Sequence, residues 1–127
     1  MQTTKYLGIW MDHSTAHITE LINGTTLSRT IDSQPQPQLN EDDLYYKDES
    51  HMLKKEQNQL ASYYNKLSDI ILYHDEVVLF GPTDAKSELF NLIKDNHLFE
   101  KIKITVKPTD KMTEIQQHSF VENFFKT

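Results

Sequence analysis

Two unbroken apolar runs, Tyr6-Leu7-Gly8-Ile9-Trp10-Met11 and Val77-Val78-Leu79-Phe80, constrain this chain more than any other feature. Neither alternates with polar residues, so neither suits a strand with one wet face. Each reads as a strand covered on both sides, in the middle of a sheet that carries helices above and below. At 127 residues there is room for one such core and not for two. The other strand patterns alternate and belong further out.

The first run ends in Asp12-His13-Ser14-Thr15, a turn in which an Asp or Ser oxygen can bond the backbone two residues on. Ala16 to Ile22 resumes as a second strand. Asn23-Gly24 tolerates the positive φ of a type I′ hairpin, and Thr25 to Ile31 returns as a third strand. From Ser33 to Lys47 periodicity stops. Gln34-Pro35-Gln36-Pro37-Gln38 favours extended backbone, Asn40-Glu41-Asp42-Asp43 is acidic, and Tyr45-Tyr46 closes what is expected to be a long mobile loop. Leu53, Leu60, Tyr64, Leu67 and Ile71 predict a helix over 48–73. After the second apolar run, Gly81-Pro82 breaks the chain. A helix from Thr83 or Asp84 to Asn96 is predicted, capped by one of those residues, with Ala85, Leu89, Leu92 and Ile93 inward. Lys101 to Lys107 alternates as a fifth strand that Pro108 ends. Thr113-x-x-Gln116 is a capping-box pattern opening a last helix to Phe125, striped by Val121, Phe124 and Phe125. Right-handed crossovers then place the fourth strand beside the first and give the order 3-2-1-4-5 with three helices, an α/β, ribonuclease H-like topology in one domain over 1–127.

Composition narrows the chemistry. The 37% hydrophobic and 25% charged residues, with 3 Gly and 4 Pro, exclude collagen-like and wholly disordered chains. No apolar stretch is long enough to span a bilayer, and the opening residues lead straight into a strand; a soluble, cytoplasmic protein without a membrane partner is expected. With 0 Cys there is no thiol nucleophile, disulfide or cysteine-held metal. A net charge of −6 argues against broad attraction to DNA or other polyanions, so any RNA contact must be local.

Each candidate site residue also has an ordinary structural role. Asp12, at the end of the first strand, could be the first carboxylate of a two-metal nuclease, with Glu49 or Glu56 as a second, yet the fourth strand ends in Gly81-Pro82 where another carboxylate would be needed. A turn residue is the simpler reading. His13 and His17 lie four apart, about 13 Å along a strand, too far to share an ion. Gly81 to Lys86 joins a buried strand to a helix N-terminus but lacks a glycine-rich phosphate pattern and carries Asp84 at the positive end. Lys101, Lys103, Lys107 and Lys111 form a basic stripe on an edge strand, where lysines block aggregation or can meet RNA phosphates. Tyr45 and Tyr46 can stack on a base or anchor the loop.

The chain resembles a family of small stand-alone bacterial proteins related to the middle domain of archaeal and eukaryotic class-one peptide-chain release factors and of Pelota. The most specific stretch is Val77 to Leu89, a strand followed by Gly81-Pro82-x-x-Ala85-Lys86-x-Glu88-Leu89. Trp10-x-Asp12-His13-x-x-Ala16 and Asp110-Lys111-Met112-Thr113-Glu114-x-Gln116 support it. The resemblance implies a ribonuclease H-like core. In the release factors, the loop after the third strand carries a Gly-Gly-Gln tripeptide that promotes peptidyl-tRNA hydrolysis. The corresponding segment here, from Gln34 to Lys47, holds no glycine. Pelota-like proteins similarly lack the tripeptide and act in ribosome rescue.

The expectation is therefore a non-enzymatic, cofactor-free domain of the translation apparatus. It would meet the ribosome or ribosomal RNA through Gln34, Gln36, Gln38, Tyr45 and Tyr46 and through Lys103, Lys107 and Lys111. A nuclease centred on Asp12, and a protein-interaction module using the acidic loop, are the alternatives.

Overall fold

In the computed structural model the two apolar runs lie side by side as β1 (Lys5–Met11) and β4 (Glu76–Gly81), parallel and in register from Tyr6 opposite Glu76 to Trp10 opposite Phe80. The structure describes residues 3–33 and 49–126, with the backbone alone for 49–56. The remaining elements are β2 (Thr15–Ile22), β3 (Thr25–Asp32), α1 (Glu49–Ile71), α2 (Ala85–Ile93), β5 (Lys103–Pro108) and α3 (Glu114–Phe124). A single turn of 3₁₀ helix, His97–Phe99, follows α2. The five strands form one mixed sheet in the order β3-β2-β1-β4-β5, with the β1–β2–β3 meander antiparallel and β5 parallel to β4. That is the expected fold class and strand order.

The sheet is covered on both faces, as two unbroken apolar strands require. Leu7, Ile9 and Met11 of β1 and Val77 and Leu79 of β4 point to one side, where Tyr63, Tyr64, Leu67 and Ile71 of α1 and Leu89 and Ile93 of α2 cover them. Trp10, Val78 and Phe80 point to the other, against Val121 and Phe125 at α3. Gly8 sits beneath α3 with no side chain of its own; a Cβ there would stand 2.2 Å from Val121 Cγ2. The hairpin turn has Asn23 at φ 54° and Gly24 at φ 77°, the left-handed pair expected of a two-residue connection. Thr113 and Gln116 form the reciprocal capping box at the start of α3.

Several boundaries differ from the sequence reading, each for a local reason. The second predicted helix stops at Ile93 rather than Asn96, because the Asn96 side chain accepts from Leu98 N and starts the 3₁₀ turn instead. Leu92 is exposed: the buried arc of α2 runs through Ala85, Lys86, Leu89 and Ile93, and Leu92 falls at its margin. Asp84 holds the N-cap position without a side-chain cap bond, while Thr83 Oγ1 accepts from Ala85 N at 3.3 Å. Strand β5 begins at Lys103, so Lys101 lies in the preceding turn, and its ladder runs on to Pro108 opposite Gly81. Among the described residues no helix is long and apolar enough to cross a membrane.

Candidate functional site at the carboxyl ends of β1 and β4

In sheets with parallel neighbours the carboxyl ends of the strands are where loops and ligands gather. Here that end is built by two connections. The first leaves β1 through Asp12, whose Oδ1 accepts from Ser14 N and Thr15 N, both at 2.7 Å, while Asp12 N donates to Thr15 O at 3.0 Å. These bonds reverse the chain within four residues. They give one Asp12 carboxylate oxygen, Oδ1, a structural task in the turn. Among the described residues no three His, Asp or Glu side chains are grouped to hold a metal ion.

The second connection leaves β4 through Gly81, at φ 143°. A Cβ at this position would lie 2.3 Å from the Met11 carbonyl oxygen, a backbone atom that cannot step aside, so the close approach of the two strand ends demands glycine. Beyond Pro82, α2 starts with Ala85 and Lys86 buried; the Lys86 ammonium folds back to donate to the Thr83 carbonyl. One turn on, Glu88 reaches across to the first connection.

Glu88 is the hub. His13 Nε2–H donates to its Oε2 at 3.0 Å and the Tyr64 hydroxyl to its Oε1 at 2.8 Å. The β1–β2 turn, α1 and α2 thus meet on one carboxylate. These two bonds, His13 first, hold the Glu88 carboxyl below its ordinary value of 4.5, against a smaller opposing effect of burial. Burial, followed by the adjoining Glu88, pushes the Tyr64 hydroxyl up. The neighbouring Tyr63, 1% exposed, is raised chiefly by burial and donates to the Asp12 carbonyl oxygen at 2.9 Å. Next to this network, Thr15 Oγ1 donates to Asp32 Oδ1 at 3.1 Å and Ser33 N to Ser14 O at 2.7 Å. The segment 34–48 therefore departs from a point pinned to the same turn.

Of the residues singled out from sequence, Asp12, His13, Gly81, Pro82, Ala85, Lys86 and Glu88 come together in these two connections. Trp10 does not join them. It lies on the α3 face with its ring 5.4 Å from that of His17 and its Nε1 buried without a hydrogen-bond partner. His17 Nδ1 is 3.1 Å from Thr30 Oγ1, on the sheet face opposite His13's network. Gln34, Gln36, Gln38, Tyr45 and Tyr46 lie outside the described residues. The lysines are exposed but do not converge: Lys103 pairs with Glu76 at the amino end of β4, Lys107 with Phe80 near its carboxyl end, and Lys111 follows in the connection to α3. Lys101 and Lys103 instead line an open cavity of about 770 Å³ at the amino end, with Lys5, Asp75 and Glu76.

The polar work of Tyr63 and Tyr64 was missed in the sequence, where Tyr64 reads only as part of an apolar stripe. The available signal was chemical, since a buried tyrosine hydroxyl needs a partner and two adjacent ones need two.

No protein-family model matches this chain, and no curated protein matches it. Solved structures do. The crystal structure of the Thermoplasma acidophilum Pelota protein superimposes with a TM-score of 0.57 and 15% identity over 94% of this chain and 32% of that one. That of Archaeoglobus fulgidus Pelota gives 0.58 and 7% over 98% of this chain and 32% of the other. The chain spans about a third of the length of these Pelota chains. At such identities the likeness is one of fold, and at that level it bears out the resemblance to Pelota.

Proposed function

We propose that this chain is a translation-associated binding domain, ribosome- or RNA-linked, that does not hydrolyse peptidyl-tRNA. The observation that carries the proposal is the likeness to Pelota, which takes in 94% of the chain in one case and 98% in the other. The chemistry of the sequence supports the second half. Its 3 glycines stand at positions 8, 24 and 81, so no Gly-Gly pair exists in it, and the segment from Ser33 to Lys47 has none of the backbone freedom such a tripeptide supplies. The geometry supports a presenting role for that segment: the Asp12 turn and Glu88 network brace the point from which it leaves the sheet. Gln34, Gln36, Gln38, Tyr45 and Tyr46 are the contact residues, with Lys107 and Lys111 as local phosphate partners.

Sedimentation with purified ribosomes at increasing salt tests this reading. Co-migration should persist at moderate salt and fall when 34–46 is replaced by a Gly-Ser linker of equal length. A protein that stays in the supernatant even at low salt overturns ribosome binding. Release of nascent polypeptide from stalled complexes overturns the claim that the domain is inert, and Mg²⁺-dependent RNA cleavage lost in Asp12→Asn would assign it to the nucleases.

A further inference from the structure

The two edges of the sheet are finished differently. At β5 the exposed edge carries Lys103, Lys107 and Pro108, side chains that discourage another strand from adding. β3 carries neither lysine nor proline, and its one cation is Arg29. Thr25-Thr26-Leu27-Ser28-Arg29-Thr30-Ile31-Asp32 is eight residues long, rich in β-branched side chains and mostly exposed, and among the described residues nothing pairs with it beyond β2. Leu27 is 59% exposed at its middle.

We propose that the outer edge of β3, unpaired among the described residues, pairs with β3 of a second copy, antiparallel about a two-fold axis at Ser28, joining two five-stranded sheets into one. The backbone phase permits it. A two-residue hairpin makes Ile22 and Thr25 the closing hydrogen-bonded pair, so alternation turns the N–H and C=O of Thr26, Ser28 and Thr30 away from β2.

The side chains select the register. Pairing centred on Ser28 sets Ser28 against its own copy, Thr26 against Thr30, Leu27 against Arg29 and Thr25 against Ile31, using seven residues of the strand with no like charges opposed. Across the axis Leu27 then lies diagonal to the second Leu27 and to Ile31, within reach of both, which covers the exposed leucine. Moving the centre to Arg29 opposes two guanidinium groups. Centring on Leu27 leaves only five strand residues paired. The contact is isologous and closes on itself, so it ends at two copies.

Sedimentation equilibrium over a wide concentration range tests the proposal, with two variants. Leu27→Lys places a cation opposite Arg29 of the second copy. Thr26→Pro deletes an outward N–H without touching the β2 ladder. The unaltered chain should run as a dimer that dissociates on dilution. Each variant should be monomeric at least tenfold higher in concentration, with an unchanged far-ultraviolet circular dichroism spectrum. A monomer at every concentration overturns the proposal, even if some other peptide takes the edge. So does a dimer indifferent to both substitutions.

Discussion

The two faces of the sheet solve the same covering problem by different means. On one face α1 and α2 lie over an aliphatic floor of Leu7, Ile9, Met11, Val77 and Leu79, and many side chains share the contact. On the other, α3 is the one helix among the described residues. It is brought close by the missing side chain at Gly8 and held by stacked rings, Tyr6 on Phe125 at 4.6 Å and Phe80 on Phe120 at 4.3 Å between centroids. The first face depends on the volume it fills, the second on the distance of one approach. A broad aliphatic interface spreads a defect over many neighbours, whereas a single helix over a glycine has one contact that cannot give.

The comparison can be broken at three places. The largest effect is expected on the first face. Leu79, fully buried between β1 and β5, should cost about 2–5 kcal/mol when cut to alanine, measured by urea denaturation, because a cavity opens under two helices. A value below 1 kcal/mol would mean this face is loosely packed and the contrast is false. On the second face, Gly8→Ala should cost about 1–3 kcal/mol by forcing α3 away from the sheet. Val121→Ala in the same chain should recover part of that loss by removing the methyls the new Cβ meets. Strictly additive effects in the double-mutant cycle would show that the approach at Gly8 is not the controlling contact.

The smallest effect concerns the polar bracket that ties the first face together at its end. The Glu88 carboxyl is lowered in the folded state, so the stabilisation it brings is complete above its ordinary value of 4.5 and is lost as the pH falls through the lowered one. Unfolding curves of Glu88→Gln and the unaltered chain should therefore differ most near neutrality and draw together in acid. Because Glu88 is half exposed, the gap should be modest and shrink with salt. A gap that is constant across the acid range would mean that the bonds from His13 and Tyr64 do not distinguish the charged carboxyl from the neutral one.

The architecture was legible because its determinants are local. Unbroken apolar runs announce central strands, Asn23-Gly24 announces a hairpin, and Thr113 with Gln116 announces a helix start; each acts within a few residues and each is found where it was expected. The errors in α2 are also local. Leu92 falls outside the buried arc because a nine-residue helix can turn that arc toward a lysine stem, and Lys86 takes the inward place that spacing alone would give to Leu92.

The chain's own letters decided the strand order, the covering of both faces, the absence of a Gly-Gly pair and the residue types at the two central turns, since periodicity, turn chemistry and composition need no long-range information. Only the folded chain decided that His13 and Tyr64 meet on the Glu88 carboxylate, His13 from 75 residues away in sequence, that Gly8 admits Val121, and that among the described residues β3 and β5 form the two edges of the sheet. Those are meetings between distant segments, and their geometry is fixed by how helices settle on a twisted sheet, which no window of neighbouring residues records.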